Sequence, residues 1–107
     1  MKVAFMHETF ADMSGRRWAI RVDAESLDRV HAMTEIDLRT PPFDAALKSL
    51  TAEAWSLAAV IYALCKPQAD RRGYSPERFG RSLGSIQAIE SAYACLFAGL
   101  KRHFSRG

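Results

Sequence analysis

Side chains that commonly carry catalysis or bind metals are sparse in this chain of 107 residues. The three histidines, His7, His31 and His103, fall in three different predicted elements, without the second ligand at regular spacing that a metal motif needs. No serine lies in a G-x-S-x-G turn, and "GRSLGS" matches neither of the glycine-rich motifs that bind phosphate. We therefore expect a protein that is not an enzyme and that needs no cofactor and no metal.

The two cysteines, Cys65 and Cys95, each lie inside an apolar pattern of helical spacing. Their separation is typical of neither a disulfide framework nor a zinc motif, so we expect two buried thiols in a reducing compartment. The N-terminal segment "MKVAFMHETF" lacks the apolar core of a signal peptide, and no segment approaches the ~18–20 apolar residues of a membrane span. The expected location is the cytoplasm.

Basic residues are concentrated in the C-terminal part of the chain. Residues 1–65 hold seven Lys and Arg against nine Asp and Glu, whereas residues 66–107 hold eight against three. A small DNA- or RNA-binding regulator is therefore an alternative function, and it predicts that the basic side chains converge on one face and that binding weakens with salt. The candidates are Arg71, Arg72, Arg78, Arg81, Lys101, Arg102 and Arg106.

Residues 75–104 superficially resemble a helix-turn-helix, which also bears on that alternative. The start of the second helix offers only Gln87 to read a base edge, and Glu90 would repel phosphate. The segment "CKPQADRRGYSPERFG", residues 65–80, is better explained as a connector whose charges face water. Within it, Ser75 is a predicted helix N-cap, and Tyr74 and Phe79 form a predicted hydrophobic staple.

The elements that must position these residues begin with a predicted β-hairpin over about residues 3–22. In "RRWAIRVD" the apolar residues Trp18, Ile20 and Val22 alternate with more polar ones, as in a half-buried strand. The intervening "ADMSG" supplies turn residues. Because an isolated hairpin is marginal in water, its apolar face must pack on helices.

Four helices are predicted after the hairpin, over about residues 24–34, 52–66, 76–83 and 86–104. Asp23 caps the first, whose apolar face holds Leu27, Val30 and Met33, and a minor helical turn over 43–49 follows Pro41 and Pro42. In the last helix the residues with helical spacing are Ile86, Ile89, Tyr93, Leu96, Leu100 and Phe104.

The helix over residues 52–66 is expected to be the central helix of the core. Thr51 is its predicted N-cap, with Leu50 and Trp55 as a hydrophobic staple, and Pro67 is expected to end or kink it. The opposite face of the last helix carries small residues, typical of close packing within the chain or between subunits.

Length and composition point to one domain over residues 1–107. The chain is 49% hydrophobic and 25% charged, as in an ordinary globular domain, and it is too short for two separate cores. The predicted fold class is α+β, with an N-terminal β-hairpin packed on a bundle of about four mostly short helices.

The order of these patterns resembles the small tail assembly chaperones of long-tailed (siphovirus-type) phages and prophages. The resemblance spans about residues 15–104, and its most particular segments are "RRWAIRVD" and "LCKPQADRRGYSPERFG". The matching residues are Gly15, Arg16, Trp18, Ile20, Val22, Leu27, Val30, Asp37, Leu38, Leu64, Pro67, Phe79, Gly80 and Phe104.

This resemblance implies a non-enzymatic protein of the bacterial host cytoplasm that binds the tape-measure protein and assists tail-tube assembly. Its implied partners are the tape-measure and tail-tube proteins and further copies of itself, with no membrane and no nucleic acid. A long helical client exposes apolar surface, which a groove or helix face of a small domain can cover. The candidate protein-binding residues are whichever are exposed among Trp55, Tyr62, Tyr74, Phe79, Tyr93 and Phe97.

Overall fold

The structure is a computed structural model that describes residues 8–40 and 44–104. It consists of a two-stranded sheet and a set of helices, so the predicted α+β class is confirmed. The elements are β1 (Glu8–Ala11), β2 (Arg17–Ile20), α1 (Ala24–Thr34), α2 (Asp44–Ala52), α3 (Ala54–Arg72), α4 (Pro76–Ser82) and α5 (Ile86–Phe104). The first five residues of the predicted hairpin, which include His7, lie outside the described residues, as do Pro41, Pro42 and Arg106.

The hairpin forms as predicted over the described residues. Strands β1 and β2 are antiparallel, with Phe10 opposite Trp18 and Glu8 opposite Ile20. Trp18 and Ile20 are buried whereas Arg17 is exposed, which is the alternation expected of a strand with one face on the core. The sheet therefore presents its large apolar side chains to the helices.

Asp12 organises the turn between the strands. One carboxylate oxygen, Oδ1, accepts hydrogen bonds from the backbone N–H and hydroxyl of Ser14 and from the backbone N–H of Arg16, at 2.9–3.0 Å. The other, Oδ2, accepts the indole N–H of Trp18 at 2.9 Å. The predicted turn residue thus also holds the largest aromatic side chain of the core.

Helix α1 has the predicted boundaries. The Asp23 side chain accepts a hydrogen bond from the backbone N–H of Ser26, whose hydroxyl accepts one from the Asp23 N–H, so the helix begins with a capping box. Leu27 and Val30 are buried, but Met33, which was predicted on the same apolar face, is 45% exposed. Met33 lies in the last turn, beside an open groove.

The predictions between residues 43 and 55 are partly wrong. The minor turn is a nine-residue helix, α2, which includes Thr51, so Thr51 is not the N-cap of the following helix. Helix α3 instead begins after Glu53, and the predicted staple is absent because Leu50 is fully buried whereas Trp55 is 70% exposed. Burial of Leu50 in the core outweighs the local capping preference, as tertiary packing usually does in short helices.

Helix α3 is the central helix, as predicted, but it does not end at Pro67. It continues to Arg72 and ends at Gly73, whose φ of 72° is the left-handed conformation that glycine adopts readily. Pro67 lacks the N–H that would bond to the carbonyl of Ala63. The Arg29 Nε–H from α1 donates to that carbonyl at 2.8 Å, so the carbonyl keeps a hydrogen-bond donor although α3 lacks one backbone bond at the proline.

The second half of α3 covers the outer edge of β2. The Gln68 side chain accepts the backbone N–H of Ala19 at 3.2 Å and donates to the Ala19 carbonyl at 2.7 Å. One turn later, Arg72 donates to the carbonyl of Arg17 at 2.8 Å. Because these side chains occupy the edge groups, β2 is closed to pairing with another strand there.

Helix α4 begins as predicted: the Ser75 hydroxyl accepts the backbone N–H of Arg78, and Pro76 is the first helical residue. Tyr74 and Phe79, the predicted staple residues, are both buried and both pack edge-on against Trp18. Helices α4 and α5 meet at a bend of 106°. Among the described residues, no helix taken alone is both long and apolar enough to cross a membrane.

Helix α5 has the predicted boundaries, and most of the predicted face is packed: Leu96 and Leu100 are buried, and Ile89, Tyr93 and Phe104 pack against the core while partly exposed. The buried residues are Ala88, Ala92, Cys95, Leu96, Gly99 and Leu100. Ile86, which was predicted on the packed face, is 74% exposed. A Cβ on Gly99 would lie 2.7 Å from Cγ2 of Val22, so the small residues let the helix backbone approach the hairpin. Ala88, Ala92 and Gly99 therefore pack within the chain, whereas Ala94 on the same helix is exposed.

Candidate protein-binding groove

An apolar groove opens between the C-terminal end of α1, the first half of α3 and the start of α4. Its volume is about 290 Å³. Its lining is formed by Met33, Thr34, Trp55, Ala58, Ala59, Tyr62 and Pro76. The described residues of this lining include no charged side chain, so the groove suits an apolar partner surface.

Trp55 is the most exposed large side chain of the groove. It lies in the first turn of α3, ahead of the stretch from Leu57 onward that enters the core, and 70% of it is exposed. Met33 on the opposite wall is 45% exposed. Two small residues, Ala58 and Ala59, also line the groove. The lining therefore combines large apolar side chains with small ones, which leaves room for an apolar side chain from outside.

The inner end of the groove rests on an aromatic cluster. Tyr62 is 8% exposed and contacts the ring of Phe79, with ring centroids 5.5 Å apart. Phe79 in turn contacts Trp18 at 4.8 Å between centroids, and both of these rings are buried. Edge-to-face pairs of this kind are favourable. The wall formed by Tyr62 is therefore held by the core.

The six predicted protein-binding aromatics have different positions in the structure. Trp55 and Phe97 are exposed, but they lie on different helices, α3 and α5. Tyr62 contributes to the groove with little exposed surface, and Tyr93 is half-buried. Phe79 is a core residue, and Tyr74 is nearly buried beneath arginine side chains. Of the six, only Trp55 and Tyr62 are among the described residues that line the groove.

Sequence reasoning missed the other half of this groove. Met33 was predicted in the core, and Ala58, Ala59 and Pro76 were not predicted to line a site. The sequence signal for the site is the pair Ala58 and Ala59 one turn after Trp55, because two small side chains leave room next to a large ring. The opposite wall comes from α1, which is distant in sequence.

The arginines of the predicted connector do not simply face water, and most of the connector is helical. The guanidinium of Arg72 lies over the Trp18 ring at 4.4 Å, and those of Arg78 and Arg16 lie over the Tyr74 ring at 4.1 and 5.3 Å. These cation–π contacts cover the exposed edges of the aromatic cluster. The connector prediction was therefore wrong for residues 67–72, which continue α3.

The six predicted nucleic-acid-binding residues in the described part of the chain do not form one cluster. Arg72 and Arg78 cover the adjoining rings of Trp18 and Tyr74, and Arg71 lies one residue before Arg72 in α3. Arg81 is in α4, next to the start of α5. Lys101 and Arg102 are in the last turn of α5, roughly 22 Å from its first residue along the axis of that helix.

Three observations on the described residues bear on the expectations about catalysis. In the described part of the chain, no three side chains of His, Cys, Asp or Glu are placed to hold a metal ion. His31 and His103 lie in α1 and α5. Both cysteines are free and buried, as predicted, and burial, with a further contribution from the nearby Cys95, raises the pKa of the Cys65 thiol to about 12. Cys65 is therefore protonated at neutral pH.

Comparison of the chain with protein-family models, with curated proteins and with solved structures finds no match.

Proposed function

We propose that this chain is a non-enzymatic protein-binding module that acts as a tail assembly chaperone of a long-tailed phage or prophage. In this proposal it binds the tape-measure protein in the host cytoplasm, keeps that protein soluble and assists assembly of the tail tube. The resemblance of the sequence suggests the family. The observation that carries the proposal is the uncharged groove bordered by Trp55, which is 70% exposed.

The groove suits recognition of an amphipathic helix. Such a helix presents apolar side chains at three- and four-residue steps, and one of them can enter the space between Met33 and Trp55. Tryptophan is the residue most enriched among those that dominate binding energy. A tape-measure protein offers many such helical segments, so several copies of this chain would bind along one client.

The proposal is tested by co-expressing the chain with the tape-measure protein of the same genome. That gene is expected close by, with the present reading frame between a tail-tube gene and a very long coiled-coil gene. We expect the chain to keep the client soluble and to co-purify with it. Because truncation of a central aromatic costs about 2 kcal/mol or more, Trp55→Ala should weaken binding roughly 30-fold.

Ile86→Ala is the matched control, because Ile86 is equally apolar and 74% exposed but does not line the groove. It should bind the client as the unmodified chain does. A client that stays soluble without the chain, or equal loss of binding in both variants, would contradict the proposal.

A DNA- or RNA-binding regulator remains the second candidate, supported by one observation. Arg16, Arg72 and Arg78 lie over two adjoining rings, which concentrates positive charge on one part of the surface. Binding to duplex DNA that falls steeply between low and physiological salt would favour this candidate. The chaperone proposal expects no such binding.

A further inference from the structure

A second, polar groove lies between the end of β2, the start of α1 and the second half of α3. Its volume is about 500 Å³, within the range of small-molecule sites. Four arginines and two carboxylates contribute to its lining: Arg21, Arg29, Arg71, Arg72, Asp23 and Glu25. This groove and the Trp55 groove share no lining residue.

Two of the arginines are held in place by bonds that use only part of their donor capacity. Arg29 donates its Nε–H to the Ala63 carbonyl at 2.8 Å, and Arg72 donates from Nη1 to the Arg17 carbonyl at 2.8 Å while stacking on Trp18. A guanidinium has five N–H donors, so each keeps others for a ligand. Donors that are already oriented lose less entropy when a ligand binds.

The third arginine is available without rearrangement. Arg71 is exposed, lines the groove and has no hydrogen-bond or ion-pair partner among the described residues. Arg21, by contrast, is 3.5 Å from the carboxylate of Asp23.

The two carboxylates of the lining do not neutralise its four arginines. Asp23 is engaged twice, because one oxygen accepts the Ser26 backbone N–H at 2.8 Å and the other faces Arg21. Four arginines less two carboxylates give the groove a net charge of +2. A ligand with charge near −2 and several acceptor oxygens would balance it.

We propose that this groove binds the phosphoryl group of a small molecule. A phosphoryl group carries about −1.5 to −2 charges and three acceptor oxygens, so it suits a groove lined by four guanidinium groups better than a single carboxylate group would. Asp23 and Glu25 in the same lining would repel the successive phosphates of a nucleic acid, so a small ligand fits better than a polymer. The proposal does not depend on client binding at Trp55.

The test is an NMR titration of the full chain with inorganic phosphate at constant ionic strength. We expect saturable shifts of the backbone amides of Ala19, Ser26 and Gln68, which surround the groove. Arg71→Gln should weaken binding about fivefold to tenfold, and Glu25→Gln should strengthen it about twofold to threefold by removing a repelling charge. Arg81→Gln, on an exposed arginine outside the groove, should change nothing.

Several outcomes would overturn this assignment. They are shifts that do not saturate, equal weakening by Arg71→Gln and Arg81→Gln, succinate binding as tightly as phosphate, or a single-stranded oligonucleotide binding more tightly than both. Trp55→Ala should leave phosphate binding unchanged. That variant therefore separates a failure of this site from a failure of the chaperone proposal.

Discussion

At the scale of single residues, Asp12 links the hairpin turn to the core. It is buried, yet its carboxylate accepts four hydrogen bonds from donors in the turn and from Trp18. Burial by itself raises the pKa of a carboxyl group, but the hydrogen bonds from Trp18, Ser14 and Arg16 outweigh it and hold the pKa of Asp12 below its ordinary value of 3.8. The charged form is therefore the one that the fold stabilises.

Because the pKa of Asp12 is lowered in the folded protein, the protein should lose stability in acid. The contribution of Asp12 is fully present above the unfolded-state pKa of about 3.9 and is lost as pH falls through the lower pKa of the folded state. Asp12→Asn should lower the free energy of unfolding at neutral pH by about 1–3 kcal/mol. The side-chain NH2 of asparagine would face the hydrogen-bond donors that now bind the carboxylate, and so would find no acceptor. The substitution should also flatten the pH dependence below about pH 4, as measured by urea unfolding.

Asp28→Asn is the matched control, because the Asp28 side chain is 67% exposed and, among residues 8–40 and 44–104, pairs only with exposed Arg39 at 3.3 Å. Exposed pairs contribute about 0–1 kcal/mol, so this variant should unfold nearly like the unmodified chain. A steep acid limb that persists in Asp12→Asn would refute the assignment.

At the scale of elements, α3 depends on α1 to remain continuous. Pro67 removes one backbone hydrogen bond in the middle of α3 and would leave the carbonyl of buried Ala63 without its helical partner. Arg29 supplies the missing donor from α1. The extension of α3 to Arg72 then covers the edge of β2, so one side chain of α1 supports the contact between α3 and the hairpin.

A double-mutant cycle tests this dependence. Arg29→Met keeps an apolar stem but leaves the Ala63 carbonyl unsatisfied, so it should lower the free energy of unfolding by about 1–3 kcal/mol. In a Pro67→Ala background the new N–H can bond to that carbonyl, and the cost of Arg29→Met should fall by about 1 kcal/mol. Strictly additive changes in urea unfolding would show that the arginine does not substitute for the lost N–H.

At the scale of the whole molecule, α3 connects the other elements through one core. It packs against β2, α1, α2, α4 and α5, and the buried apolar residues form one cluster. Cys65 lies in that cluster, where its thiol faces the carbonyl of Ala19 at 3.6 Å. Cys95 is buried on α5. Because Cys65 faces Ala19 and Cys95 adjoins Phe10 and Arg17, exposing either thiol requires its helix to separate from the hairpin.

The two cysteines should report global unfolding. In the native protein both thiols should resist a thiol reagent such as iodoacetamide, because they are buried and burial raises the pKa of Cys65 to about 12. Their labelling rates should rise together with urea, in parallel with loss of helical circular dichroism. Rapid labelling of either cysteine in native conditions, measured by mass spectrometry of the peptides, would contradict this core.

The sequence by itself determined the features that depend on neighbours in the chain. The boundaries of α1, the starts of α4 and α5 and the hairpin turn were predicted because Asp23, Ser75, Ser85 and Asp12 act within about four residues. Burial of the cysteines was likewise readable from helical periodicity.

Only the tertiary structure decided which side chains remain outside and which distant ones meet. Trp55 and Ile86 matched core patterns but are exposed. Leu50 is buried, and Thr51 beside it lies inside α2 instead of capping α3. Arg29 meets Ala63 across 34 positions of sequence and so cancels the break expected at Pro67. The periodicity of a sequence predicts the apolar stripe of a helix. The surface that covers the stripe belongs to other elements, and so does the side chain that replaces a missing backbone N–H donor.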